Sequence, residues 1–354
     1  MTDIHERLAD RPAEQLPADH VEQAILVVGP SWVGDLVMAQ SFFIALKQQQ
    51  PSVQIDVLAP AWLLPLLARM PQIRSGIENP LKHGQLGLAD RWRLGRQLKG
   101  SYQRAYLLPN SFKSALIPFW AGIPQRIGYG AELRSGLLTE ARKPNKKVLT
   151  RTVERFVALA VAEDQRLPEI AVPELQINPA EQQATLQRLG FTGEQPPILA
   201  LCPGAEYGPA KRWPVEHFAQ VATDKIAQGW QVWIFGSAKD RLVAEQINDL
   251  ADGRCHNLAG STTLAEACDL LALAAAVVTN DSGLMHVAAA LGRSLYCLFG
   301  SSDPSFTPPL SDSATVFSLG LSCSPCFERE CPLEHFRCLN DLLPAVVSAA
   351  IGQD

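Results

Sequence analysis

The strongest constraint on this chain is a pattern that recurs through both of its halves. A short, nearly uninterrupted apolar run ends in a turn rich in Gly, Ser or Pro, and residues at helical spacing follow. Ala24-Ile-Leu-Val-Val28 runs into Gly-Pro-Ser-Trp-Val-Gly, and a helix is predicted to begin near Gly34-Asp35. A strand covered on both faces reads as a continuous apolar run, whereas a half-exposed strand alternates. Strands and helices in alternation therefore predict a parallel sheet with helices on both faces. In the first half, further strands are predicted at Gln54–Ala59, Arg104–Leu108 and near Arg126, with helices around Ala61–Arg69, Asp90–Lys99 and Ser111–Trp120. In the second half, strands are predicted at Pro197–Leu201, Gln231–Phe235, Ala276–Thr279 and Ser294–Phe299, and helices at Val215–Gln228, Asp240–Leu250, Leu264–Ala274 and His286–Leu291.

The chain's 354 residues exceed one ordinary core and suit two domains. With 47% apolar and 19% charged residues, both can be well packed, and wholesale disorder is excluded. The Pro-containing stretch Leu167–Pro179 is the expected boundary, with a second flexible stretch at Glu194–Pro197. The expected division is a disordered tail over 1–22, one doubly wound domain over 23–178 and another over 179–354. The tail is polar and lacks the apolar core of a signal peptide, and no apolar run reaches the roughly 18 residues of a membrane span. The expected location is the cytoplasm.

Net charge is −5, but its distribution is uneven. Residues 21–180 hold 19 Lys and Arg against 12 Asp and Glu, and residues 181–354 hold 10 against 19. The excess of positive charge between Lys82 and Arg155 suits an anionic partner: nucleic acid, a phosphorylated substrate or an anionic membrane. It is equally what a solvated charged face would carry.

Doubly wound sheets bind ligands beyond the carboxyl ends of their strands. Those positions carry Gly29–Asp35, Pro109–Lys113, Pro203–Lys211, Gly236-Ser237, Asn280–Gly283 and Gly300–Pro304, and a site between the two domains is expected. In Asn280-Asp-Ser-Gly-Leu-Met-His286 a strand ends and a helix begins, so free amides and the helix dipole favour a phosphate. Asp281 would then accept from sugar hydroxyls. The alternative is a plain helix cap made by Asp281 or Ser282. Lys211 and Arg212 stand just before a predicted helix start, where cations oppose the dipole, which points to an anion bound there; the alternative is a solvated pair. Asp35 is placed to take a proton from a hydroxyl, or is simply a favourable first-turn acid, and the helix start is expected to depress its pKa.

The blocks GPSWVGDLVMAQ, LPNSFKSALIPFWAGIPQRIGY, CPGAEYGPAKRWP, FGSAKD and VTNDSGLMHVAAALGRSLYCLFGSSDPSFTPPL, in this order, resemble the lipopolysaccharide heptosyltransferases. The resemblance spans Ala24 to Asp341. PSWVGD, PNSFKSA and PGAEYGPAKRWP favour the subtype that acts on an acceptor already carrying one heptose. The resemblance implies the GT-B fold, two Rossmann-like domains across a cleft, and inverting transfer of L-glycero-D-manno-heptose from ADP-heptose onto the first heptose of Kdo2-lipid A. It implies no bound cofactor or required divalent metal, no nucleic acid, and work at the cytoplasmic face of the inner membrane. Carried over by position, Asp35 matches the proposed base and Lys211 the lysine that stabilises the departing diphosphate. Asp281 matches the aspartate on donor hydroxyls, with Ser282, Gly283 and His286 near the phosphates. Gly204, Ala205 and Glu206 occupy a loop where another subtype has threonines, and Gly236 and Ser237 should border the nucleoside. Lys113, Arg126 and the Arg142–Lys147 segment become candidate acceptor or membrane contacts. Rival readings are a nucleotide-sugar epimerase of the same fold and a catalytically silent binding protein.

Cys202, Cys255, Cys268 and Cys297 lie in apolar contexts and are expected to be buried and reduced. Cys323, Cys326, Cys331 and Cys338 cluster as C-x2-C-x4-C-x6-C with His335 nearby. Four thiolates at short spacing can hold zinc, but the intervals are not those of a standard ribbon, and a reduced loop is the default expectation.

Overall fold

The computed structural model describes residues 24–81, 84–193 and 196–352. The predicted tail, Lys82, and Glu194-Gln195 of the second predicted flexible stretch lie outside the described residues. The chain divides into two compact units. One takes in the chain through Ser31, then Ser41–Leu149 and Glu154–Glu169; the other takes in Trp32–Gln40, Thr150–Val153 and Ile170 onward.

Among the described residues the first unit holds six strands: β1 (Ala24–Val28), β2 (Gln54–Ala59), β3 (Ile73–Glu78), β4 (Arg104–Leu107), β5 (Gln125–Tyr129) and β6 (Glu140–Arg142). They form one parallel sheet in the order β3-β2-β1-β4-β5-β6. The second unit holds β7 (Ile198–Cys202), β8 (Gln231–Ile234), β9 (His256–Asn257), β10 (Ala276–Asn280), β11 (Ser294–Leu298) and β12 (Ala314–Phe317). Their order, β12-β11-β10-β7-β8-β9, is the same winding: the first strand of the unit lies between its second and its fourth. This is the doubly wound topology that the strand–helix alternation predicts.

The central strands carry the core because the sequence leaves them no polar face. Every residue of β1, β7 and β10 is buried. In the second unit Leu199, Leu201, Val232, Ile234 and Val278 are fully buried with Trp213, Phe218 and Ile247. Helices depart from prediction where proline intervenes. Ala61–Arg69 becomes a 3-10 turn over Ala61–Leu63 and a short helix Leu64–Leu67, with Pro65 in its first turn. Ser111–Trp120 likewise divides into a 3-10 turn Phe112–Ala115 and a helix Leu116–Trp120 holding Pro118. Proline lacks the amide that would continue the ladder and is tolerated only in a first turn. No helix among the described residues is long and apolar enough to cross a membrane.

Candidate active site

In the second unit the winding reverses between β7 and β10, which pair with Thr279 opposite Cys202. The loops after these strands, Pro203–Lys211 and Asn280–Ser282, therefore emerge side by side. Asn280 ties them together: its Nδ2 donates to the Pro203 carbonyl at 2.7 Å and its Oδ1 accepts from the Trp213 amide at 3.0 Å. Asn280 is fully buried, so both bonds replace contacts that water cannot supply.

The helix Gly283–Ala290 starts at Ser282, whose extended backbone suits a cap but whose side chain makes no capping hydrogen bond. Its hydroxyl stands 3.4 Å from the Thr279 hydroxyl instead. Asp281 does not cap either; its carboxylate forms an ion pair with the Lys211 ammonium. Both side chains are largely buried, at 17% exposure for Lys211 and 6% for Asp281. The plain-cap alternative for Asp281 and Ser282 is thus not what the chain does. The pair also answers the charge at Lys211 that a helix start would oppose. Lys211 lies in the 3-10 turn Pro209–Lys211 with its ammonium 5.0 Å from the Tyr207 ring. Arg212 reaches back to the Ala205 carbonyl at 3.3 Å.

Asp35 lies in the first turn of the helix Val33–Gln49, in the segment Trp32–Gln40 that groups with the second unit. Burial pushes its pKa up to about 6; Lys211 pulls the other way and Asp281 adds to the rise. The sequence reading expected the helix start to depress this pKa, and the structure corrects it. Loss of solvation, a property of the packed surroundings, outweighs the local field. His286 is buried and held neutral at neutral pH, its pKa lowered by burial to about 4; Asp281 favours its charged form and Lys211 opposes it.

Two glycines let the helix starts cross closely. A Cβ on Gly34 would stand 2.6 Å from His286 Cδ2, and one on Gly283 would stand 2.7 Å from Val33 Cβ. Asp35, Lys211, Asp281, Ser282, Gly283 and His286 are therefore assembled in one neighbourhood.

Three of the other predicted donor residues, Gly204, Gly236 and Ser237, form a second group around Asp240, which sequence reasoning missed. A Cβ on Gly204 would stand 2.7 Å from Asp240 Cγ, and one on Gly236 equally close to Asp240 Cβ. Asp240 accepts from the Ser237 amide at 2.9 Å and from its hydroxyl at 2.7 Å. The Ser237-x-x-Asp240 spacing of a capping box was the available signal. Ala205 is buried, whereas Glu206 is spent in an exposed ion pair with Lys239.

In the first unit Lys113 lies in the Phe112–Ala115 turn. The Arg126 guanidinium donates to the carbonyls of Leu137 at 2.7 Å and Ile123 at 2.5 Å and stacks over Phe119. Arg142 is buried, donating to the carbonyls of Ala158 and Val161 and pairing with Glu140. Of the predicted basic surface segment, Lys143, Lys146 and Lys147 are exposed and Arg142 is not. Cys202, Cys255, Cys268 and Cys297 are buried thiols outside any disulfide; Cys323, Cys326, Cys331 and Cys338 are likewise thiols, and half-buried.

The chain is similar to known proteins over most of its length. The family described as glycosyltransferase family 9 (heptosyltransferase) matches residues 91–337. Lipopolysaccharide heptosyltransferase 2 of Escherichia coli K12 is 49% identical over 306 residues, 83% of this chain and 88% of that protein. Lipooligosaccharide heptosyltransferase 2 of Haemophilus influenzae is 50% identical over 307 residues, with the same shares covered. The solved structure of E. coli ADP-heptose lps heptosyltransferase II superposes with a TM-score of 0.82 at 43% identity, over 92% of this chain and 96% of that one. The GT-B class implied by the sequence blocks holds, and the chain belongs to glycosyltransferase family 9, the heptosyltransferases.

Proposed function

We propose that the chain transfers heptose from ADP-heptose to an inner-core lipopolysaccharide acceptor that already carries one heptose, with inversion at the anomeric carbon. The observation that carries this reading is the gathering of Asp35, Lys211 and Asp281 beside the uncapped start of the Gly283–Ala290 helix. Relatives about half identical to this chain are heptosyltransferases of the second type.

The reaction is a single displacement. Asp35 takes the proton of the acceptor hydroxyl as that oxygen attacks the anomeric carbon. The bond from the anomeric carbon to the diphosphate oxygen breaks on the opposite face, and ADP leaves with the electron pair. A pKa near 6 leaves Asp35 largely ionised at neutral pH, yet basic enough to accept a proton. Lys211 and the free amides at Ser282-Gly283-Leu284 stabilise the departing charge, as fixed dipoles and a cation do at other oxyanion sites. When Lys211 turns to the diphosphate it releases Asp281, whose carboxylate then accepts from the heptose hydroxyls. His286, neutral, lines the phosphate side without adding charge. Gly204, Gly236 and Ser237, gathered around Asp240, border the nucleoside together with Ala205.

Lys211 and the amides supply the field that a divalent ion gives in other transferases, so the proposed reaction runs without one at the diphosphate. The excess positive charge of the first half suits Kdo carboxylates, lipid A phosphates and the cytoplasmic face of the inner membrane. The test is ADP release from ADP-heptose with Kdo2-lipid A bearing no heptose or one. Turnover only with the mono-heptosylated acceptor is expected. Turnover only with the heptose-free acceptor would reassign the subtype, and release with neither would leave a binding protein.

A further inference from the structure

The segment after β12, residues 318–336, has no regular secondary structure, yet it holds the turn that presents Lys211. The Tyr207 hydroxyl donates to the Phe327 carbonyl at 2.5 Å, the Arg329 Nε donates to the Tyr207 carbonyl at 2.7 Å, and the Ala210 amide donates to the Arg329 carbonyl at 3.0 Å. Gly208 meets the same segment so closely that a Cβ would stand 2.4 Å from the Arg329 carbonyl oxygen. A long irregular stretch inside a compact unit needs something to fix it. This one contains Phe327, Glu334 and Phe336 in left-handed backbone conformations, at φ of 58°, 58° and 47°. Such residues persist only where their surroundings hold them.

The side chains at its centre are thiols. Cys323, Cys326, Cys331 and Cys338 line one small cavity together with His335, Ala210 and Ser301. Ser301 is fully buried and its hydroxyl has no hydrogen-bond partner. The Phe336 amide points at Cys331 Sγ, 3.4 Å away, as backbone amides do around a metal-bound thiolate. Cys338 Sγ lies against Gly300, where a Cβ would come within 3.1 Å of it. Among the described residues no group of three or more His, Cys, Asp or Glu side chains stands in a geometry that could hold a metal ion as it is. The four thiols share a cavity rather than a common centre, and a bound ion would draw them in, as in metal-coupled ordering of other cysteine loops.

We propose that Cys323, Cys326, Cys331 and Cys338 bind one thiophilic divalent ion of the zinc class, and that this ion clamps the segment that holds the Tyr207–Lys211 turn. Four soft sulfur ligands in a tetrahedron select zinc over magnesium or calcium. Binding releases the four thiol protons to solvent and changes no oxidation state. The ion is structural, because all four of its positions are filled by protein and none is left for substrate.

The test uses the full-length chain, purified with reductant and without chelator. Elemental analysis is expected to find about one zinc per chain, the stoichiometry of a closed structural site. Cobalt(II) added to chelator-treated protein should give the visible bands of tetrahedral thiolate coordination. Cys331→Ser and Cys338→Ser should lose both signals, whereas Cys255→Ser should keep them. Loss of the ion should lower Tm and weaken ADP binding. Should the serine variants fail to fold, the wild-type metal content and cobalt spectrum decide. Protein that is metal-free and gives no cobalt bands overturns the proposal, as do two disulfides among these cysteines in freshly purified protein. The metal content and the cobalt bands need neither turnover nor ADP binding, so their outcome stands apart from the proposed function.

Discussion

Replacing Asp35 by Asn should give a protein that is nearly inactive and yet more stable. Burial raises the Asp35 pKa from 3.8 to about 6, a rise of about two units, and one unit corresponds to about 1.4 kcal/mol. The sign follows from proton binding. Between pH 4 and 6 the folded chain holds this proton more tightly than the unfolded chain, so this group's contribution to stability falls as pH rises through that window. Above pH 6 the whole cost of burying the carboxylate is present, up to about 3 kcal/mol, and an amide of the same shape removes it. Loss of a general base costs roughly 100- to 10,000-fold in turnover. The assay pairs ADP release with denaturant unfolding at pH 7.5 and pH 5. Asp35→Asn should keep its affinity for ADP, gain stability at pH 7.5 and gain about half as much at pH 5. Wild-type kcat/KM should be half-maximal near pH 6 and fall about tenfold per unit below it. Turnover within a few-fold of wild type would refute the base assignment. An acid limb near pH 4 would refute the claim that burial controls this carboxylate.

Three further outcomes are expected. Lys211→Met strands the Asp281 carboxylate, so unfolding should become easier by about 3 kcal/mol, and the residual activity should show its acid limb at higher pH, because Lys211 lowers the Asp35 pKa; an unmoved limb would show that the two groups are not coupled. Asn280→Ala leaves the Pro203 carbonyl and the Trp213 amide buried without partners, at a cost of about 2–4 kcal/mol in a urea melt, and unchanged stability would mean that water replaces the side chain. Gly34→Ala forces the His286 ring aside, with an expected loss of about 1–3 kcal/mol and a fall in ADP release, both of which His286→Ala in the same chain should partly restore.

The central sheet was legible because β1, β7 and β10 are buried on both faces and consist almost wholly of apolar residues. The edge strands were not. β3 mixes half-buried and exposed residues and has none fully buried, β6 has three residues, and β9 has two, His256 and Asn257. No apolar run marks them, since only one side of each has a neighbour. That Asp35, Lys211 and Asp281 lie in the loops and turns that follow strands was readable by position. Their state was not. The ion pair joins residues 70 apart, and the Asp35 shift arises from desolvation, which no local window reports. Arg126 and Arg142 read as free surface charge for a related reason: apart from Ile123, the carbonyls that hold them, Leu137, Ala158 and Val161, lie 11 to 19 residues away along the chain.

The crossing of the two helix starts at Gly34 and Gly283 bears on how this enzyme can vary. Each glycine leaves out an atom where a residue of the other helix sits, His286 Cδ2 in one case and Val33 Cβ in the other. The turn that carries Asp35 and the turn that opens the Gly283–Ala290 helix are thus meshed like gear teeth. A change at either tooth has to be matched by its counterpart, so substitutions here should be accepted as pairs. Randomising positions 33, 34, 283 and 286 together, with selection for transfer, should recover couples such as a smaller residue at 286 with a larger one at 34, and few tolerated single changes.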